Sequence, residues 1–288
     1  MKTLKNLLKE SSLLYNSSDE KRELIEKWLS EYNVEDYTVN DDFTIDVDGD
    51  VILSRRNLKE LPDYIQFGVV KGSFDCSRNN LTTLNGTPKE VKEYFFCSFN
   101  NLTSLKGAPE KVGKEFDCQS NKLTSLEGAP KKVGWDFECS NNQLISLKGC
   151  PEEVGRDFRC TLNKLISLEN CPIQIDGDFY CNNNQLISLK GAPKVVNGKF
   201  VCTNNKLTSL EGAPKKVKGA FSCSYNQLTS LEGAPKKING DFYCDHNQLT
   251  SLEGAPEEVK GHFYCNDNNN LTEDDVRAIC NVKKLVLV

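Results

Sequence analysis

The chain has 288 residues, 38% of them apolar and 27% charged, with a mean hydropathy of −0.50, so it is neither membrane-embedded nor disordered. Its formal net charge of −5 disfavours a protein that binds nucleic acid through a strongly basic surface. The two histidines leave little room for His-based metal or acid–base chemistry.

The first residues, MKTLKNLLKESSLLY over 1–15, contain no clean apolar core of a signal peptide, because Glu10 and the two serines after it interrupt the run. No apolar run approaches the ~18 residues that span a bilayer. We therefore expect a cytoplasmic protein without a membrane partner. The segment is a candidate for a short helix, and Leu8-Lys9-Glu10 resembles the L-x-E processing sites of phage head proteins, although such tripeptides are common by chance.

Residues 18–32 are predicted to form a helix. After a Ser-Ser-Asp start, Leu24, Ile25, Trp28 and Leu29 recur at helical spacing. We interpret this helix as a cap over the first coil of the structure that follows. The alternative is a helix that binds a partner.

Residues 43–53, FTIDVDGDVIL, predict a β-hairpin that turns at Asp48-Gly49. The closely spaced Asp46, Asp48 and Asp50 could suggest a calcium loop. An EF-hand loop, however, needs Gly at its sixth position, and here Gly49 is fourth. The turn is therefore the favoured interpretation.

From Phe74 onward the chain repeats itself every 21 residues. Phe recurs ten times up to Phe263, Cys follows each Phe two residues later, and Asn follows each Cys after three more. The consensus is F-x-C-x-x-N-x-L-T-S-L-x-G-A-P-x-x-V-x-G-x. Residues 51–62 fit a degenerate first copy, in which Leu53, Leu58 and Leu61 take the positions of the Cys and the two Leu.

A period this short predicts one coil of a solenoid per repeat. The F-x-C segment alternates and predicts a short strand with Phe and Cys inward. The Asn can satisfy backbone groups where the chain leaves the strand. The G-A-P segment blocks a long helix, so the return side should be extended or 3₁₀. One coil alone buries too little to offset its ordering entropy, so the coils must stack and be capped.

The pattern resembles the leucine-rich repeat family, whose L-x-L-x-x-N-x-L motif appears here with Phe and Cys at the first two Leu positions. The short period and the Pro on the return side resemble the bacterial subgroup, and the variant is similar to repeats of bacteriophage and bacterial proteins of unassigned function. The resemblance implies an α/β repeat solenoid: a right-handed horseshoe with a parallel β-sheet on its concave face, little helix on its convex face, and protein recognition on the concave sheet.

The C-terminal residues predict a cap of helix plus strand. Thr272 stands as an N-cap before EDDVRAIC, and KKLVLV over 283–288 predicts a final strand. The predicted domains are an N-terminal helical and hairpin cap over 1–50, the solenoid over 51–271 and the C-terminal cap over 272–288.

The 13 cysteines do not predict metal or disulfide chemistry. Ten of them lie on the inward face, where Cys behaves as a small buried apolar residue, and no C-x-x-C occurs. Cys150 and Cys171 replace the Ala of G-A-P in adjacent coils and could pair on oxidation, but packing is favoured. His246 and His262 lie near several Asp residues, and we interpret them as surface residues. We expect no cofactor and no metal.

The outward strand positions predict two patches and one aromatic pair. The acidic patch would require a cation or a basic partner, because like charges lie on neighbouring strands. Exposed aromatic residues are typical of binding hot spots. The acidic patch is Glu115, Asp117, Asp136, Glu138 and Asp157; the aromatic patch is Tyr180, Tyr225, Tyr243 and Tyr264; the pair is Phe96 and Phe99, with Tyr94 beside it.

These features predict a non-enzymatic solenoid that binds a protein, specifically a basic segment, on its concave face. No nucleophile, base and orienting group converge in the sequence. Lys pairs on the return side alternate with Glu in adjacent coils, which argues against nucleic acid. Two alternatives stay open: a structural or assembly component that self-associates, for instance in a virion, and a small-ligand site at the Tyr/His end.

Overall fold

The computed structural model describes residues 18–269 and 271–288, so the predictions for residues 1–15 lie outside the described residues. Helix α1, Ser18–Glu31, buries Ile25, Trp28 and Leu29, and the Trp28 ring lies 6.3 Å from the ring of Phe67 in the first coil. A helix thus lies where the sequence predicts one, beside the first coil. Leu24, on the same predicted face, is 38% exposed.

The hairpin predicted over 43–53 is wrong. Strand β1, Tyr37–Val39, pairs antiparallel with β2, Ile45–Val47, whereas β3, Val51–Ile52, lies in a different sheet from β2. Asp48-Gly49 is instead the corner between two sides of a coil. The reason is that Val47 and Val51 are both fully buried, each against the coil that follows, which a two-stranded hairpin could not achieve.

The neighbouring carboxylates explain the Asp-rich sequence at this corner. Asp46 Oδ1 accepts the backbone N–H of Val69 at 2.7 Å, and Asp50 Oδ1 accepts that of Ser73 at 2.7 Å. These side chains therefore tie the corner to the next coil.

The ten F-x-C segments form one parallel sheet, with one further strand added at each end. This sheet of 12 strands is called here the long sheet. Each Phe pairs in register with the Phe of the next coil, for example Phe137 with Phe158. Besides β3, its strands are β5 Phe74–Asp75, β7 Phe95–Phe96, β9 Phe116–Asp117, β11 Phe137–Glu138, β13 Phe158–Arg159, β15 Phe179–Tyr180, β17 Phe200–Val201, β19 Phe221–Ser222, β21 Phe242–Tyr243, β23 Phe263–Tyr264 and β25 Val286–Leu287.

The return side of each coil is extended, as the G-A-P segment predicts, and its short strands form two further sheets. The first has seven strands, β1, β2, β4 Phe67–Val70, β6 Glu90–Val91, β8 Lys111–Val112, β10 Lys132–Val133 and β12 Glu153–Val154. The second has six, β14 Gln174–Ile175, β16 Val195–Val196, β18 Lys216–Val217, β20 Lys237–Ile238, β22 Glu258–Val259 and β24 Asn281–Val282. The described chain is thus a parallel-strand solenoid with little helix.

The break between the two return sheets coincides with a shift of the corner glycine. In the three coils before the break the glycine directly follows the buried Val, at Gly113, Gly134 and Gly155; from Gly177 onward, one residue separates the buried apolar residue from the glycine. A Cβ on Gly155 would lie inside van der Waals contact of the Gly134 carbonyl oxygen, and a Cβ on Gly177 would meet the Asp157 carboxylate. At both positions the preceding coil leaves no room for a side chain, so only glycine fits.

Apolar ladders fill the interior. The Phe rings from Phe74 to Phe242 stack with centroids 5.3–5.9 Å apart. The ladder Cys and Leu residues are buried beside them. Each stacked ring thus contacts the coils before and after it, so the core exists only where coils adjoin.

The ladder asparagines join adjacent coils through their side-chain amides. Asn163 Nδ2 donates to the carbonyls of Cys139 and Cys160 at 3.1 and 3.2 Å, and its Oδ1 accepts the N–H of Leu144 at 3.0 Å. The same bonds recur from Asn79 to Asn268. Asn79 binds Leu53 and Leu58 in this way, which supports the degenerate first coil.

A helix and two short strands follow the last repeat. Thr272 caps helix α2, Glu273–Ile279, and forms a reciprocal capping box with Asp275. The final strand β25 pairs with β23, and β24, which the sequence analysis missed, pairs with β22. No helix among the described residues is long and apolar enough to cross a membrane.

We predict that Asn163→Ala lowers the free energy of unfolding by about 2 kcal/mol, because the buried backbone N–H of Leu144 loses its partner. The carbonyls of Cys139 and Cys160 each lose one of the two amide donors that they accept. Urea denaturation measures the change. The control is Gln143→Ala, at an exposed position of the neighbouring coil, which should change stability by less than about 0.5 kcal/mol. Equal effects of the two substitutions would contradict a structural role for the Asn ladder.

Candidate functional site

The open face of the long sheet carries the predicted acidic residues in two columns. In the column before each Phe, Asp136 Oδ1 accepts the N–H of Asp157 at 3.0 Å, and Asp157 Oδ1 accepts that of Asp178 at 2.8 Å. One oxygen of each carboxylate is therefore used to join coils, and one remains for other contacts.

The column after each Phe is more buried than the sequence analysis implied. Asp117 is 8% and Glu138 9% exposed. Asp117 Oδ1 accepts the N–H of Gln119 at 2.9 Å, and Glu138 Oε1 accepts that of Ser140 at 2.8 Å, so each carboxylate holds the turn that follows its strand. Burial raises the pKa of both carboxyls.

Glu115 stands in the column before each Phe, one coil before Asp136, and is half-buried. Its own desolvation, followed by the charges of Asp117 and Asp136, raises the pKa of this carboxyl to about 7. Ionised Glu115 is therefore the least favourable charge of the acidic patch, and a cation beside it would relieve the repulsion.

Arg159 partly neutralises the acidic patch, which the sequence analysis did not anticipate. Its guanidinium forms an ion pair with Asp157 and lies 3.7 Å from Asp136. The same guanidinium lies 5.6 Å from the centre of the Tyr180 ring, whose hydroxyl donates to Asp178 at 2.8 Å. Tyr180 therefore belongs to the edge of the acidic patch.

The remaining tyrosines lie further along the sheet. Tyr243 and Tyr264 stack with centroids 4.6 Å apart, and Tyr225 stacks on His246 at 4.1 Å. Strands β17 and β19 separate Tyr180 from Tyr243. The predicted aromatic patch is thus divided into a lone Tyr180 and a Tyr/His end.

The histidines are held by carboxylates. His246 Nδ1 lies 2.9 Å from Asp245 and its Nε2 3.2 Å from Asp267, so both ring nitrogens have partners. His262 donates its backbone N–H to Asp241 at 2.8 Å. Across residues 18–269 and 271–288, no group of three or more His, Cys, Asp or Glu side chains is arranged to hold a metal ion.

The structure adds Trp135 to the predicted pair near the N-terminal end. The Trp135 ring lies 6.0 Å from that of Tyr94, which stacks on Phe96 at 5.5 Å. Lys114 Nζ lies 5.0 and 5.2 Å from the centres of the Tyr94 and Trp135 rings, and the Arg156 guanidinium covers Trp135 from the next coil at 5.4 Å. Phe99 is separate and lies under the Arg78 guanidinium, 4.4 Å away.

A signal for Trp135 was present in the sequence. The position two residues before the ladder Phe is Gly in the last five repeats, but Lys114, Trp135 and Arg156 occupy it in three consecutive coils. A consensus gives only the commonest residue at each position, so it does not show that these three coils differ.

The ladder cysteines are buried, as predicted, and all 13 cysteines are free. Cys118 and Cys139 donate weak S–H bonds of 3.3 Å to carbonyls of the next coil, and burial raises the pKa of both thiols. These thiols are therefore structural.

A groove of about 750 Å³ lies away from these side chains, on the return side. Ala108, Pro109 and Ala129 form part of its wall, and both Lys and Glu side chains line it. Its mixed charge favours no ligand class, so the candidate site stays on the long sheet.

Comparisons with known proteins do not name a family. No protein-family model and no curated protein matches the chain. Among solved structures, it is similar to YopM, a leucine-rich effector protein from Yersinia pestis, at 22% identity and a TM-score of 0.48, covering 77% of this chain and 57% of that one. It is also similar to YopM from Yersinia enterocolitica WA-314, at 19% identity and a TM-score of 0.45, covering 83% of this chain and 65% of that one.

A Shigella effector LRR domain is similar at 18% identity and a TM-score of 0.31, with 99% of each chain covered. The chain spans less than two thirds of the length of the two Yersinia structures.

We predict that Glu115→Gln stabilises the protein at high pH. The folded-state pKa of about 7 lies above the ordinary 4.5, so the protonated acid is favoured on folding, and this contribution is lost as the pH rises through 7. Relative to wild type, the variant should gain about 1–2 kcal/mol between about pH 5 and pH 8, because half-exposure screens part of the shift. Urea denaturation across this range measures it. The exposed Glu110→Gln should show no such trend.

Proposed function

We propose that the chain is a non-enzymatic protein-recognition solenoid that binds a basic segment of a protein partner on the open face of the long sheet. The observation that carries this proposal is the position of Glu115, which is half-buried and has Asp117 two residues further along its own coil and Asp136 at the same position of the next coil. A Lys or Arg side chain of a partner would offset this repulsion, and the gain would favour a basic sequence over a neutral one.

The contacts indicate that the residues of the acidic patch would have different roles in binding. Asp117 and Glu138 are engaged with their own turns, so they contribute charge and little direct contact. Glu115 is the group that would meet the partner, and Asp136, whose second oxygen lies 3.7 Å from Arg159, adds charge beside it. Arg159 beside Asp157 would limit the basic segment on one side.

Aromatic side chains flank this acidic centre and would supply the buried contact. Tyr94, Phe96 and Trp135 lie on one side, and Tyr180 lies on the other. Trp, Tyr and Arg are the residue types that most often carry interface energy. Phe99 and the tyrosines of the Tyr/His end would contact a partner only if it extends along the sheet.

Two other functions remain candidates. Self-association would use the outermost strand β3, where Ile52 is 50% exposed on an unpaired edge. A small cationic ligand would use the stacked Tyr243 and Tyr264 beside His262. A cytoplasmic location and a bacteriophage or bacterial origin belong to the same proposal.

The test uses a fluorescent Lys/Arg-rich peptide and a variant that keeps the ladder geometry. Glu115→Gln with Asp136→Asn removes two charges but leaves an oxygen to accept the N–H of Asp157. We predict that fluorescence anisotropy shows about tenfold weaker binding to this double variant at low salt. Asp241→Asn, the same ladder position near the Tyr/His end, should change affinity less than about twofold.

Equal affinity for the double variant and for Asp241→Asn would contradict the acidic centre as the binding site. Concentration-dependent oligomers of the wild type without peptide binding would favour the assembly candidate instead.

We also predict that affinity for the basic peptide rises with pH across 7, because ionised Glu115 is the form that attracts a cation and the pKa of its carboxyl is about 7. Calorimetry in two buffers of different ionisation enthalpy should detect proton release on binding near pH 7. Glu115→Gln should abolish this release, and a release that persists in the variant would assign it to another group.

A further inference from the structure

Equivalent positions of the repeats can be compared directly. Three consecutive coils differ from the others in the residue type at one exposed position. Directly after the first ladder Leu, six coils carry Thr, from Thr82 to Thr250, but Ile145, Ile166 and Ile187 replace it in the middle of the array. These isoleucines are 60%, 56% and 62% exposed. Three large apolar side chains thus form a row on the surface.

The fold does not require isoleucine at this position. The backbone N–H of Ile187 reaches the carbonyl of Ile166 at 3.5 Å, and that of Thr250 reaches Thr229 at 3.4 Å, so coils of both kinds follow the same path. Thr and Ile are both β-branched and share the same backbone preference. The exchange therefore alters the surface alone.

Leu162 is a second departure in the central one of these coils. It has φ 53° and is 54% exposed, while the same position in the adjacent coils carries Asn141 and Asn183. Asn tolerates this left-handed conformation, whereas a bulky apolar residue is disfavoured there. Leu162 costs stability without contributing to the core, which indicates a role on the surface.

The surface around this row is basic. The segments 119–125, 140–146, 161–167, 182–188 and 203–209 contain no Asp or Glu, but they do contain Lys122, Lys164 and Lys206 on alternate coils. All three lysines are exposed. The surface around the isoleucine row thus has the opposite charge to the acidic patch of the long sheet.

We propose that this rim, formed by Ile145, Ile166, Ile187 and Leu162 with the three lysines, binds an acidic amphipathic helix of a protein partner. Coils stack about 4.8 Å apart, close to the helical pitch of about 5.4 Å, so a helix along the solenoid axis sets one apolar side chain per turn beside one Ile per coil. Lysines on alternate coils recur every ~10 Å, which matches carboxylates about seven residues apart on the helix.

Other occupants fit the rim less well. Residues 1–17 of the chain carry three Lys and one Glu, the wrong charge for a lysine-bearing rim. Aliphatic side chains offer no stacking to nucleic-acid bases. The next column adds no net charge here, because Glu127 and Glu169 form ion pairs with Lys148 and Lys190 at 2.8 and 3.0 Å, so the charge of this surface comes from the three lysines.

The test uses a fluorescent acidic peptide of about 18 residues, or five helical turns, with Leu on one face and Glu on its flanks. The control peptide has the same composition in scrambled order. Ile145→Thr, Ile166→Thr and Ile187→Thr together restore the residue of the other coils, so this variant should fold. It should bind the helical peptide at least about tenfold more weakly than wild type does.

Matched variants separate this surface from the acidic patch. Thr229→Ser with Thr250→Ser, in the same column outside the rim, should leave affinity unchanged. Glu115→Gln with Asp136→Asn should also leave it unchanged, so failure of the rim and failure of the acidic patch are distinguishable. Replacing Lys122, Lys164 and Lys206 by Gln should weaken binding and flatten its salt dependence.

Equal binding of the scrambled peptide, or unaltered binding to the triple Thr variant, would overturn the proposal. Binding to phosphatidylserine vesicles in place of the peptide would reassign the rim to a membrane. Dimers in light scattering that the triple Thr variant loses would reassign it to a second copy of the chain.

Discussion

The side-chain amide of the ladder asparagine is the interaction on which the structure depends. At the end of every long-sheet strand the chain turns inward, and its carbonyls and N–H groups would be buried without partners. Each Asn satisfies groups of its own coil and of the coil before it, so no coil is complete alone. Stacking is thereby required in one register, and the Phe, Cys and Leu ladders follow from that register.

A fixed register turns the surface into a grid in which each outward position has known neighbours. These fixed neighbours explain why most carboxylates of the acidic patch already accept hydrogen bonds within the protein. Asp136 and Asp157 join coils, Asp117 and Glu138 hold turns, and Glu115 alone lies among them without such a role in the contacts described above. Structural hydrogen bonds concentrate charge here, and Glu115 adds a carboxylate whose ionisation is disfavoured by burial and by its acidic neighbours.

The period predicted the parts of the fold that repeat: the inward Phe and Cys, the strands and the extended return side. It failed where contacts between distant residues override a local signal. Asp48-Gly49 is a strong hairpin sequence, yet Val47 and Val51 are both fully buried and pair with strands of the next coil instead of with each other. Arg159, Trp135 and the isoleucine row were missed for another reason: their importance lies in neighbours one coil away, which become visible only once the register is fixed.

The corner glycine stands at two different positions along the array, and this difference limits where a coil can be inserted or removed. A coil with glycine directly after Val fits against a neighbour of its own kind, because the space it needs is set by that neighbour's carbonyl. Tandem duplication of a coil therefore preserves the fit within a block but not across the break between β12 and β14. Within either run of like corners, from Gly113 to Gly155 and from Gly177 to Gly261, a whole coil can therefore be added or removed with less disturbance of the packing than at their junction.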